Sequence, residues 1–229
     1  MAAGALVQGA VGFGLNLVAV PLLLWIDPSL VPGPVLVAAL VLTILILRRE
    51  RKAVDFTGLG WAFVGRLPGT GLGVAALLVV PAASLSLVFA SLVLIAVLIS
   101  ASGVHVRPTW RTLLVAGALS GFMSTTSAVG GPPMALVYQE AAGPRLRGTL
   151  AGYFVAGALI SIFALTAAGR FGAVEARASL ALIPGILIGF ALSRRAARRL
   201  DAGMIRPAVL LVAGLASGSV LVRQLFDCF

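Results

Sequence analysis

The stretch "TTSAVGGPP", residues 125–133, interrupts a long apolar run with hydroxyls, two glycines and two prolines. Gly130 and Gly131 permit backbone conformations closed to other residues. Pro132 and Pro133 cannot extend a helix from the preceding turn, yet they suit the first turn of a new one. One helix is therefore expected to end near residues 122–126, and another to start near Pro132 and run to Glu140. With Ser124 just before the stretch, four consecutive hydroxyls (Ser124, Thr125, Thr126 and Ser127) flank the break. The competing reading is a single kinked helix whose hydroxyls bond back to its own carbonyls.

The surroundings make this break costly. Of 229 residues, 60% are hydrophobic and 10% are charged, with mean hydropathy +1.12; a soluble domain carries roughly a quarter charged residues. Apolar segments occupy 4–25, 30–47, 56–80, 84–103, 111–140, 147–168, 177–193 and 203–222, against the about 20 residues that cross a bilayer. The links between them are too short to form an extramembrane domain. The expected fold class is an all-α polytopic membrane protein. In lipid, non-helical backbone is tolerated only where protein or a water-filled cavity covers it.

The net charge of +10 is carried by Arg and Lys in the short links, where cytoplasmic loops collect them. No basic stripe with interleaved aromatics is present, so nucleic acid is not an expected partner. Cys228 is the single cysteine and His105 the single histidine. That excludes an internal disulfide framework and multi-Cys or His-rich metal, iron–sulfur and haem sites, and no cofactor is expected. The start, Met1-Ala2-Ala3-Gly4, lacks a positive n-region, so no cleavable signal peptide is expected. A chain that enters its first apolar segment so early fits a shortened version of a longer protein.

The break is repeated. "AVGFG" at 10–14 resembles "AVGGP" at 128–132, an offset of 118. "GAL" at 4–6 returns at 117–119, and "PGTGLG" at 68–73 resembles "PGILIG" at 184–189, offsets of 113 and 116. Three matches in one order at nearly one offset divide the chain into an N-terminal repeat, 1–105, and a C-terminal repeat, 106–229. Each repeat holds four segments. Two broken segments in corresponding positions point to a transporter binding site.

Loop charges discriminate between topologies. If all eight segments cross, with the N-terminus inside, nine basic residues lie inside and seven outside. If segments 1 and 5 instead enter and return on one side, thirteen lie inside and three outside, with Arg66 in the membrane. The positive-inside rule favours the second arrangement. Each half then has one re-entrant hairpin and three crossings, so the two repeats are inverted.

Arg66 lies near the middle of segment 56–80 with no acid within a turn or two. A charge at membrane depth is a functional candidate, and an anionic substrate would serve as its partner. Snorkelling to an interface and bonding to break-loop carbonyls are the alternatives. Gly65, Gly69 and Gly73 beside it, and Gly185 and Gly189 in the second repeat, read as close helix packing. Trp25, Trp61 and Trp110 read as interface anchors, and "RRAARR" at 194–199 as a cytoplasmic anchor. The stretch "QGAVGFGLN", 8–16, flanks its glycines with Gln8 and Asn16. The candidate substrate-binding set is thus Arg66, Gln8, Gly12, Gly14, Asn16, Ser124, Thr125, Thr126, Ser127, Gly130 and Gly131. Backbone N–H groups at the start of the second half-helix would add anion-binding donors.

"GALVQGAVGFGLNLVAVPLL", 4–23, and "GALSGFMSTTSAVGGPPMALVY", 117–138, resemble the paired motifs of the TauE/SafE family of sulfite-exporter-like membrane permeases. The resemblance covers nearly the whole chain. Its motif glycines and prolines fall on Gly9, Gly12, Gly14 and Pro21, and on Gly121, Gly130, Gly131, Pro132 and Pro133. The resemblance implies transport of a small anion such as sulfite, thiosulfate or an organosulfonate across the bacterial inner membrane. The expected function is a secondary transporter working by alternating access, in the direction of export, with the lipid bilayer and the small anion as partners. A non-transporting scaffold or assembly subunit and an anion channel are the alternatives. An intramembrane enzyme is not expected, because no His, Cys or carboxylate pair lies at membrane depth. Should uptake be proton-coupled, Glu140 and His105 are the residues to consider.

Overall fold

The computed structural model describes residues 1–102, 106–141, 143–199, 218 and 222. Segment 203–222 and His105 therefore lie outside the described residues, apart from positions 218 and 222. The described elements are all helical. In chain order they are α1 (Ala2–Val11), α2 (Leu15–Ile26), α3 (Gly33–Glu50), α4 (Leu59–Val79), α5 (Ala82–Ala101), α6 (Trp110–Ser127), α7 (Gly131–Val137), α8 (Gly143–Ala167) and α9 (Ala173–Arg199). Short 3-10 turns follow α2 and α3. Among the described residues, three helices are long and apolar enough to cross a membrane: Leu59–Val79, Gly143–Ala167 and Ala173–Arg195. Large apolar side chains on them point outward, including Leu72, Phe163 and Leu180, as lipid-facing positions would.

Segments 1 and 5 are both broken into two helices, but the second break differs in detail from the expected one. α6 continues to Ser127, where Ala128 takes a left-handed conformation (φ 61°) and donates its N–H to the Ser124 carbonyl. α7 stops at Val137, short of Glu140. The chain then turns, and α8 begins at Gly143, ahead of the expected 147.

Helix pairing follows the glycines. α4 packs most extensively against α6. A Cβ at Gly65 would lie 1.9 Å from the Leu114 carbonyl oxygen, one at Gly69 2.0 Å from that of Ala118, and one at Gly117 2.0 Å from that of Ala62. Only hydrogen fits between these backbones, which is how small residues let helices approach in lipid. α9 meets α1 in the same way: a Cβ at Gly189 would lie 2.2 Å from the Ala2 carbonyl oxygen, and one at Gly185 2.9 Å from the Met1 Cβ. In both pairs the contacting residue numbers rise together, so the helices run parallel. α3 and α8 run antiparallel, with Gly148 against Glu50 and Gly152 against Leu47.

Ion pairs fix which links share an end of the bundle. Arg147 Nε lies 3.0 Å from Glu50 Oε1, and Arg145 pairs with Asp55. Arg49 Nη1 donates to Ser193 Oγ at 3.0 Å. The basic residues following α3, those opening α8 and the last turns of α9 therefore gather at one end. At the opposite end Gly33 packs on Phe171 and Glu175. Hydrogen bonds from Arg145 and Thr57 hold the Asp55 carboxyl down at about 2, so this pair is ionised throughout the physiological range.

The first end also holds α1 by its carbonyls. Arg49 donates to the Gly9 carbonyl and Arg147 Nη1 to that of Ala10, the latter at 3.3 Å. Glu50 accepts from both guanidinium groups through Oε1 at 3.0 Å. The C-terminal turn of this short helix is thus capped from α3 and α8, where a lone break would leave its last carbonyls bare.

Candidate functional site

The two breaks meet. In the first, Gly12 and Gly14 adopt φ of 109° and 115°, a region that side-chain-bearing residues rarely enter. Leu15, the first residue of α2, donates its N–H to Gln8 Oε1 at 3.1 Å. In the second, Ser120 Oγ donates to the Gly130 carbonyl at 2.7 Å. Asn16 Nδ2 joins the two by donating to the Ala128 carbonyl at 2.5 Å. Phe13 lies over Gly131, where a Cβ would meet the Phe13 Cβ at 3.5 Å.

Between the breaks is a cavity of about 50 Å³. Its walls include Gln8, Phe13, Gly14 and Asn16 from the first break, and Ser124, Ala128, Val129, Gly130 and Gly131 from the second. Thr43 of α3, Arg66 of α4, Pro132 of α7, and Phe154 and Ala158 of α8 also line it. Of the expected set, Gln8, Gly14, Asn16, Arg66, Ser124, Gly130 and Gly131 therefore share one cavity.

The others face elsewhere. Gly12 packs on Arg147, where a Cβ would lie 3.3 Å from the Arg147 Cα. Thr125 Oγ1 is 2.9 Å from Ser161 Oγ. Thr126 and Ser127 donate to the Phe122 and Met123 carbonyls at 2.8 and 2.9 Å, as the kinked-helix alternative would have all four hydroxyls do. Glu140 lines a separate chamber.

Arg66 is the electrostatic centre. It is 1% exposed, so it does not snorkel to an interface. Its Nη1 donates to Ser120 Oγ at 3.3 Å and to Tyr153 Oη at 3.2 Å. Its Nη2 donates to Ser124 Oγ and Ser161 Oγ, both at 3.2 Å. The guanidinium carbon lies 5.1 Å from the Tyr153 ring centroid. Gly157 makes room for it: a Cβ there would fall 2.4 Å from the Arg66 Cζ.

Among the described residues the group's partners are neutral oxygens and a ring face, Nε has none, and no acid pairs with Arg66. Hydrogen bonds to a charged group contribute about 1.5–3 kcal/mol each. Four of them are comparable with the cost of burying the group, but they leave its unit of charge uncancelled. Three of these partners, Ser120, Tyr153 and Ser161, and the supporting Gly157, were not in the expected substrate-binding set. Ser120 carried a readable signal, since it precedes Ser124 by four and so shares its helix face. Ser161 and Gly157 lie in an unremarkable apolar run, where only the fold brings them to Arg66.

No curated protein and no solved structure matches the chain. A family match does, and it covers residues 1–220 of 229 under the description sulfite exporter TauE/SafE. The matched span contains both breaks, the buried guanidinium and every wall of the cavity between them. This is a family of membrane transporters for sulfite-like anions, and the chain belongs to it.

Proposed function

We propose that the protein is a secondary carrier that exports a small oxyanion, such as sulfite or thiosulfate, across the bacterial inner membrane by alternating access. The observation that carries this reading is the uncancelled charge of Arg66 in the wall of a cavity built from both breaks. A water-sized occupant needs about 10–15 Å³ of such space, so a cavity of about 50 Å³ suits a group of roughly four non-hydrogen atoms. That favours compact oxyanions over organosulfonates. The Gly130 and Gly131 backbone N–H groups, and the second N–H of Asn16 beyond the one given to Ala128, would supply neutral donors around the anion.

Inverted halves, 1–105 and 106–229, are part of this proposal. Three features support them: two breaks that meet, PG-motif helices α4 and α9 each set against the first helix of the other half, and an antiparallel α3–α8 pair. The shared end for residues 48–55 and 145–147 agrees with re-entrant first segments, and we assign that end to the cytoplasm by its basic residues. The expected topology result is that Arg145→Cys reacts with an impermeant thiol reagent only from the cytoplasm and Arg170→Cys only from outside. Both are to be read in a Cys228→Ser background. A reversed pattern at both sites would mean eight full crossings.

Export from a negative-inside cell is driven by about 2.3 kcal/mol per charge per 100 mV. Among the described residues, no carboxylate lines the cavity. The test is flux from liposomes loaded with sulfite, thiosulfate, a sulfonate or sulfate. Saturable flux that is fastest for the compact oxyanions is expected. Non-saturating flux would mean a channel, and none from folded protein would mean a scaffold.

A further inference from the structure

The cavity has a neighbour. A chamber of about 370 Å³ lies on its Arg147 side, walled in part by Ala10, Ala135, Leu136 and Arg147. Its rim reaches the surface at Glu140 and Gly143, which are exposed. The cavity and the chamber share two wall residues, Phe13 and Pro132. At the other end, a pocket of about 340 Å³ between Ser29, Leu77, Phe89 and Arg170 shares none with the cavity. From the chamber, the anion site is therefore one side chain away.

Pro132 is fixed in the first turn of α7, with its φ locked by the ring. Phe13 is placed differently. It lies between Gly12 and Gly14, both at positive φ, in the three-residue link that belongs to neither helix. Glycine on both sides lets that peptide rotate through conformations closed to other residues. The repeat adds a second argument. Phe13 aligns with Gly131 at the offset of 118, and in the fold the ring lies on that very glycine. One break carries an aromatic ring at this position and the other carries hydrogen, and the ring fills the space so left.

We propose that Phe13 is the partition between the chamber and the anion site, swinging on Gly12 and Gly14 to admit cargo, and that its bulk sets the upper size limit of the cargo. Naming the cargo an anion rests on the function proposed above; the partition itself does not. Shortening Phe13 opens the cavity to the chamber and lets longer sulfonates reach Arg66. Enlarging it closes the route.

The test combines a cargo-independent and a cargo-dependent readout in full-length protein lacking Cys228. Thr43→Cys, nearly isosteric, places a thiol in the cavity wall. Its rate of modification by a small methanethiosulfonate, applied to either face of oriented membrane vesicles, is compared for Phe13, Phe13→Ala, Phe13→Leu and Phe13→Trp. Expected is at least a tenfold faster reaction with Ala than with Phe from the Arg147 face, an intermediate rate with Leu, slowing with Trp, and no change from the Arg170 face. In parallel, Phe13→Ala is expected to narrow the preference for sulfite over a two-carbon sulfonate by tenfold or more. Equal modification rates across the series, or equal changes from both faces, overturn the partition. Phe13→Leu preserves apolar packing and keeps the result decisive if the Ala variant does not fold. Thiol rates that follow residue size without anion flux would retain the partition and reject the anion reading. Arg66-dependent flux with unchanged thiol rates and size preference would do the reverse.

Discussion

Replacing Arg66 with Gln is expected to reduce anion flux by about 100-fold while leaving the protein folded. The size follows from Coulomb's law. A unit charge 4 Å from a monoanion is worth about 4 kcal/mol at an effective dielectric of 20, or nearly three decades, and desolvation of the anion takes back part of this. Folding survives because the change removes a buried charge from among Ser120, Ser124, Tyr153 and Ser161, whose hydroxyls can bond to the amide or to one another. Arg66→Lys keeps the charge but loses the fork of donors that spans four oxygens, and an intermediate loss of about tenfold is expected. The measurement is initial flux from liposomes at matched protein incorporation. Unaltered flux in Arg66→Gln would mean that this guanidinium only ties α4 to α6 and α8.

The second large effect concerns assembly. Gly69→Leu is expected to abolish accumulation of folded protein, and Gly69→Ala to lower it severely. At this glycine the added Cβ meets the Ala118 carbonyl and Cα, at 2.0 and 2.9 Å, and neither is the movable end of a side chain. Relief requires α4 and α6 to separate. That strains the bonds of Arg66 to Ser120 and Ser124, since both serines ride on α6. Overpacking a well-packed core typically costs about 1–3 kcal/mol, and backbone-to-backbone clashes exceed that range. Gly71, two residues along the same helix, faces open space, so Gly71→Leu is expected to accumulate normally. Monodispersity after detergent extraction reads both, and equal behaviour of the Gly69 and Gly71 variants would show that glycine content rather than this contact matters.

Much of this architecture was legible from the chain because lipid restricts the options so strongly. Glycines clustered at 12–14 and 130–131 predicted breaks in apolar runs, and the shared offset predicted that they correspond; lone prolines carried no such signal, since Pro21, Pro68 and Pro184 sit inside continuous helices. The charge of Arg66 stood out because the nearby sequence held no acid. Long-range partners were not legible. Ser161, 95 residues from Arg66, follows no local pattern, and Gly157 looks like any other small residue in a membrane helix. The four hydroxyls show a different limit. Helical geometry sends consecutive residues in different directions, so one run divides its duties: Ser124 turns to Arg66, Thr125 to Ser161, and Thr126 and Ser127 back to their own helix. A run of like residues in sequence therefore marked a region rather than a set of ligands.

The capping of α1 reverses the charge that its C-terminal end presents to the chamber. A helix end carries about half an elementary negative charge on its bare carbonyls, and Ala10 and Val11 bring that end to the chamber wall. Alone, it would repel any anion approaching Phe13. Arg49 and Arg147 bring two positive charges to those carbonyls and Glu50 returns one negative. The sum at this helix end moves from about −0.5 to about +0.5, so the end that would have been a barrier no longer adds to the negative charge that Glu140 brings to the chamber rim.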